Sequence, residues 1–216
     1  MLQLFKRRSN DLMRFLLACL VLSALAVFGL GMWYYSSTYY TNQRRIVDQP
    51  VPFSHRHHAG ELGIDCRYCH TSVETSSFAG VPGASTCMHC HSQMWPAAKM
   101  LEPVRESFRT GQPIHWTRVH NLPHYVYFNH SIHVAKGIGC ASCHGRIDKM
   151  ALTRKSASLQ MLWCLDCHRH PEQHVRPREE ITNMNWKPLV PQSELGPRLV
   201  KEYHIMSKTD CYTCHR

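Results

Sequence analysis

Beyond residue 46 the sequence has few long runs with the period of a helix or the alternation of a strand. It also has little chain from which to bury an ordinary apolar core, so a large self-supporting periodic domain is excluded. Long hydrophobic runs are equally scarce, with a single one at residues 15–35, which excludes a polytopic membrane protein. Acidic residues are few: 15 Asp and Glu stand against 25 Lys and Arg, for a formal charge of +10 with histidine neutral. By default that balance points to nucleic acid or an anionic membrane surface. What the sequence has in quantity is cysteine and histidine, 11 and 17 among 216 residues.

Ten of the eleven cysteines fall into five Cys-x-x-Cys-His units, at Cys66, Cys69 and His70; Cys87, Cys90 and His91; Cys140, Cys143 and His144; Cys164, Cys167 and His168; and Cys211, Cys214 and His215. This is the attachment motif of c-type haem, in which both thiols bond to the porphyrin and the histidine becomes an axial iron ligand. Zinc ribbons pair two Cys-x-x-Cys arms per metal, so five arms leave one over, and they need no trailing histidine. A disulfide framework has no use for seventeen histidines. The reading is therefore five covalently bound haem c groups. Two propionates on each haem offset much of the positive charge, so we expect no nucleic-acid partner, with arginines and lysines facing propionates instead.

The run at residues 15–35, FLLACLVLSALAVFGLGMWYY, is uncharged and long enough to span a bilayer as a helix. Lys6, Arg7, Arg8 and Arg14 precede it, whereas Arg44 and Arg45 alone follow closely. This bias predicts a single-pass anchor with a cytoplasmic N-terminus and an extracytoplasmic remainder, with Trp33, Tyr34, Tyr35, Tyr39 and Tyr40 as an outer aromatic belt. A signal peptide cleaved near residues 24–26 is the competing reading, but the apolar run is long for that. Cys19 within it reads as an unmodified apolar residue.

From residue 46 onward about 34 residues are available per haem, so the porphyrins must form the core. Two segments repeat: FSHRHHAGELGIDCRYCH at 53–70 and FNHSIHVAKGIGCASCH at 128–144. They divide the chain into an anchor at 1–45, a two-haem module at 46–111 and a three-haem module at 112–216, with Pro103, Gly111 and Pro113 marking a joint. The expected fold is mostly α with much irregular structure, an N-terminal transmembrane helix followed by a multihaem domain built around stacked haems.

His130 and His133 lie three apart, on one face if that stretch is helical. Each iron has one axial position left after its own Cys-x-x-Cys-His histidine binds, so the two must serve different haems and set the distance between them. His55 and His58 repeat the device. His57, His89, His170 and His174 read as surface or propionate partners. For the fifth iron His120, in RVHNLP, is the first choice of distal ligand, with His115, His124, His204, Met150, Met161, Met184 and Met206 as alternatives.

The F-x-H-x-x-H…C-x-x-C-H segments resemble the class III multihaem cytochromes, the c3 and c7 group. In that family the first histidine ligates the haem of the following motif and the second a neighbouring haem. The resemblance implies that His55 serves the haem on Cys66 and Cys69, and His130 the haem on Cys140 and Cys143. It implies that His58 and His133 reach the haems at Cys87 and Cys164. The anchor, the five motifs, RVHNLPHYVYFNHSIHVAKGIGCASCHGRIDKM and MLWCLDCHRHPE together resemble the pentahaem subunit of alternative complex III, a membrane quinol oxidoreductase. The chain departs from that pattern at His124, where an acidic residue is expected. That resemblance implies an iron–sulfur protein, polytopic quinol-binding subunits and a monohaem cytochrome as partners in a bacterial inner membrane, respiratory or photosynthetic. Electrons would pass from quinol through this subunit to a periplasmic acceptor, and the chain would be a carrier, with no catalysis of its own. Two other functions remain in view: a multihaem reductase with one open iron, and a membrane-anchored quinol dehydrogenase cytochrome.

Overall fold

The computed structural model describes residues 6–215. It divides into two units, at residues 1–42 and 43–216. In the first, α1 (Arg7–Ser36) is a single unbroken helix. It is long and apolar enough to cross a membrane, and none of that span is buried within the chain. A helix that is apolar around its whole circumference has no face to present to water. In its last turn Tyr34 meets Tyr40, just past the end, edge to face at 5.6 Å, and Tyr35 lies 4.9 Å from Tyr40.

The second unit is helical and irregular, and its described residues form no strand, only isolated β-bridges such as Val126 with His215 and Ile138 with Val175. Its helices are short: α2 (Cys66–Cys69), α3 (Ala84–His91), α4 (Glu102–Thr110), α5 (His130–Ala135), α6 (Cys140–His144), α7 (Met161–Arg169), α8 (Gln192–Glu202) and α9 (Cys211–Cys214). Five of them, α2, α3, α6, α7 and α9, carry the Cys-x-x-Cys pairs, since one helical turn puts both thiols on one side. Asp65 caps α2, accepting from the Arg67 N–H at 2.8 Å, and Asp210 caps α9 through the Thr213 N–H at 3.1 Å. Pro103 and Gly111 bracket α4: Pro103 sits in its first turn and Gly111 ends it in the left-handed region, φ 73°.

The apolar core made by protein alone is small. Val175, Leu195, Leu199 and Tyr203 are buried together, with Ile138, Trp186, Val200 and Ile205 packed on them. This cluster seats α8 against the 3-10 turn Pro171–Gln173, so closely that a Cβ on Gly196 would lie 1.9 Å from the Glu172 carbonyl oxygen. Phe78, Val81, Trp95, Phe108, Leu162, Leu189 and Tyr212 are all more than half exposed. A chain with so little buried apolar surface needs another body to fold around.

The two repeats differ in backbone. Residues 130–135 make an ordinary α turn, in which the Lys136 N–H donates to the Ile132 carbonyl. The corresponding stretch, Arg56–Glu61, is π-helical, with the Leu62 N–H donating to the His57 carbonyl five residues back. The first repeat has one more residue between its second histidine and its glycine, and the wider turn absorbs it. Both turns then end alike: Gly63 and Gly137 are left-handed at φ 68° and 76°, and the N–H groups of Ile64 and Ile138 donate to the His58 and His133 carbonyls at 3.0 Å. This accounts for the Gly-Ile shared by the two segments.

Candidate haem-binding sites

No two cysteines are joined in a disulfide. Beside each Cys-x-x-Cys pair, the following histidine is held by its Nδ1. His70 donates to the Gly80 carbonyl at 2.7 Å, His91 to that of Met94 at 3.1 Å, His168 to that of Lys208 at 2.7 Å and His215 to that of Tyr125 at 3.3 Å. A carbonyl only accepts, so the proton sits on Nδ1 and the Nε2 lone pair is left for a metal.

The four repeat histidines are held in the same way. His58 Nδ1 donates to the Ser54 carbonyl at 2.9 Å, and His133 Nδ1 to the Asn129 carbonyl at 2.6 Å, each four residues back. His130 Nδ1 donates to the Ser77 carbonyl at 2.8 Å, and His55 Nδ1 lies 2.9 Å from the Thr153 hydroxyl. Phe53 and Phe128 brace them identically: edge to face on His55 and His130 at 4.9 and 4.8 Å, stacked on His58 and His133 at 4.5 Å in both.

Each of these four faces the histidine of one Cys-x-x-Cys-His unit. His55 and His70 have ring centres 6.4 Å apart and planes 8° apart, and His130 and His144 have 6.5 Å and 11°. His58 and His91 are 6.1 Å apart at 62°, and His133 and His168 are 6.1 Å apart at 60°. Two imidazoles bound to opposite faces of one metal through bonds of about 2 Å put their ring centres about 6 Å apart. No cluster of three or more His, Cys, Asp or Glu side chains among the described residues could hold a bare metal ion. Paired imidazoles that leave four equatorial positions to a macrocycle, next to paired thiols, fit haem c and not zinc.

Burial keeps three of these imidazoles, His55, His133 and His144, neutral, as ligation requires. Burial pulls His55 down to about 4, helped by His70, and pulls His144 down to about 3, helped by His120 and His130. His133 is lowered too, again mainly by burial. Arg176 Nε is a buried donor without a partner. The guanidinium lies so close to Gly139, beside Cys140, that a Cβ there would be 2.2 Å from it. An unmet N–H on this half-buried cation suits a cofactor that carries carboxylates.

The fifth unit differs. The ring stacked on His215 is that of Tyr125, at 5.8 Å and 28°, on the residue whose carbonyl accepts from its Nδ1. His120, the sequence expectation for the fifth iron, stands instead beside the third unit, its Nε2 3.3 Å from His144 Nδ1. It takes the place that a backbone carbonyl fills in the other four. Burial first, then Lys155, pulls His120 down to about 4, so its ring is neutral. Met150 is buried, whereas Met161 and Met206 are 59% and 69% exposed. Of the histidines read as non-ligands, His57 pairs with Glu61 at 3.0 Å, His89 Nδ1 meets the Tyr68 hydroxyl at 2.9 Å and His170 lies 3.7 Å from Glu172. The acceptors for Nδ1 had no signal in the sequence, because backbone carbonyls belong to any residue. His120 did have one, its place in RVHNLP.

Residues 126–216, which hold the second histidine turn and the last three units, match the family of cytochrome c7 and related cytochrome c. Over 115 residues, 53% of the chain, the sequence is 31% identical to the menaquinone reductase multiheme cytochrome c subunit of Nitratidesulfovibrio vulgaris. The chain spans about half, 52%, of that relative's length. The second unit thus contains a c7-like multihaem cytochrome domain, of a kind that carries covalently bound haem c and transfers electrons.

Proposed function

We propose that the chain carries five haem c groups and serves as the electron-transfer subunit of a membrane quinol oxidoreductase of the alternative complex III kind. The observation that carries this reading is the set of four imidazole pairs at 6.1–6.5 Å, each beside its own cysteine pair. The fifth haem rests on Cys211, Cys214 and His215, whose Nδ1 is held like the others. Bound haem supplies one-electron chemistry at iron. The chain's residues would tether each ring through two thiols and hold four of the five between paired imidazoles, of which burial keeps His55, His133 and His144 neutral.

The domain layout, an anchor at 1–45 and modules at 46–111 and 112–216, belongs to the same reading. So does an orientation with the N-terminus in the cytoplasm and the haem domain in the periplasm of a bacterial inner membrane. The proposed partners are an iron–sulfur protein, polytopic quinol-binding subunits, a monohaem cytochrome and a periplasmic acceptor. The name of the relative, a menaquinone reductase subunit, favours a second reading in which electrons run toward quinone. In both readings the chain is a carrier within a larger enzyme.

The test is to isolate the protein from membranes in mild detergent and determine its intact mass and co-purifying chains. Five haem additions with quinone-binding subunits are expected. Fewer additions in matured protein, or zinc, would remove the basis of the reading. Exposing the isolated complex to menaquinol and to menaquinone separates the two directions.

A further inference from the structure

The order in which the attachment units neighbour one another is not their order in the chain. Within each repeat, adjacency is set by one histidine turn: His55 pairs with His70 of the first unit while His58 pairs with His91 of the second. Likewise His130 pairs with His144 of the third unit and His133 with His168 of the fourth. Read along the chain, the second and third units should then meet across the joint. The contacts point elsewhere.

The loop after each repeat's attachment unit holds the distal histidine of the other repeat. After the first unit, the Ser77 carbonyl accepts from both the backbone N–H and Nδ1 of His130, at 3.2 and 2.8 Å, and the Ser76 carbonyl accepts from the Ser131 N–H at 3.1 Å. After the third unit, Thr153 meets His55 Nδ1 at 2.9 Å, and the Met150 carbonyl accepts from the Arg56 N–H at 2.9 Å. The two repeats clasp one another reciprocally. A second tie joins the two cysteine turns at their starts. Ile181 accepts from the Cys140 N–H at 2.9 Å, and its neighbour Thr182 donates to Asp65, the cap of α2, at 3.1 Å.

The second unit's ties run to the first, through the Tyr68 hydroxyl on His89 at 2.9 Å. The fifth unit is reached from the fourth: Lys208 and Ser207, just before Cys211, bond the side chain and the carbonyl of His168 at 2.7 and 2.8 Å.

We propose that the five haem sites run in the spatial order second, first, third, fourth, fifth, with the first and third as the direct junction between the two halves. This rests on the haem reading above. It makes the second and fifth sites the two ends of the row. It also makes the joint near residue 111 a connection in chain only.

The test locates the five irons in the loaded protein by anomalous diffraction from crystals of the whole chain or its complex. The expected result is an iron of the first site nearer to that of the third than the second is. Five irons with the second nearest the third overturn the order and leave the haem reading standing. No iron at the first or third site overturns both. Variants supply a spectroscopic check that keeps every thioether attachment. His58→Ala should turn the second site high-spin and speed electron-spin relaxation of the first low-spin signal only. His130→Ala should turn the third site high-spin and speed relaxation of the first and fourth. Faster relaxation of the third signal in His58→Ala would overturn the order.

Discussion

The two histidine turns reach the same ring geometry along different backbones. In residues 130–135 an α turn sets His130 and His133, while in residues 56–61 a π turn with one extra residue sets His55 and His58. Yet the paired-ring distances agree within 0.1 Å and the angles within 3° between the corresponding pairs. What is held constant is the placement of imidazoles relative to phenylalanine and partner histidine. The path between the second histidine and its cysteine turn is free to vary, provided a left-handed glycine closes it.

The strongest way to break this equivalence is to remove the imidazoles. His130→Ala and His133→Ala should each convert a different low-spin haem to a high-spin or substitute-ligand form, and the double variant should convert two, read by low-temperature EPR. One face of one turn cannot supply both open positions of a single ring. His55→Ala and His58→Ala should behave alike if the repeats are equivalent. A double variant that loses only the signal each single variant loses would mean that one histidine is merely a neighbour.

The closing glycines should separate the repeats. Gly137→Ala meets the Arg176 carbonyl at 2.5 Å and the Tyr203 ring at 2.8 Å in addition to left-handed strain, and should cost about 3 kcal/mol. Gly63→Ala has the strain with nothing within 4 Å, and should cost about 1 kcal/mol. Denaturant unfolding of the loaded protein checks the ranking, and equal costs would contradict it.

A smaller difference lies just before each cysteine turn, where the first repeat has Asp65 and the second has Gly139. The hydrogen bond from the Arg67 guanidinium, aided by the Arg67 N–H and Thr182, holds the Asp65 carboxyl below its ordinary value. Its folded value is depressed, so its contribution is fully present above the unfolded value near 4 and is lost as pH falls through the folded one. Asp65→Asn should flatten the stability profile below about pH 4 while keeping a cap. Asp65→Ala should also lose about 1 kcal/mol at neutral pH. An unchanged acid limb in Asp65→Asn would show that the carboxylate's charge contributes nothing there.

Five attachment units, the apolar helix and the paired histidines were legible in the sequence because each is a local pattern of side chains with a fixed chemical use. The π turn was not, since one inserted residue leaves hydrophobic period and composition unchanged. Nor was the reciprocal clasp between Ser77 and His130 or between Thr153 and His55, which joins positions 53 and 98 residues apart. Pro103 and Gly111 carried a real signal of interruption, but a proline in the first turn and a glycine after the last delimit a helix as readily as a linker.

The smallest expected effect concerns His120, where a local reading and a spatial one diverge. If His120 accepts from His144 Nδ1, it would add basicity to the imidazole that faces His130, as a hydrogen-bonded partner of a metal-ligating histidine does. His120→Ala should then leave the number of low-spin haems unchanged and raise the reduction potential of the third haem alone, because a less basic ligand stabilises ferric iron less. His120→Gln, which retains a side-chain acceptor, should restore much of the shift. Redox titration followed optically and by EPR reads both quantities together. A new high-spin haem in His120→Ala would show the residue to be an axial ligand, as its place in the sequence first implied. An unshifted potential with the full low-spin count would show that the 3.3 Å contact carries no electronic influence.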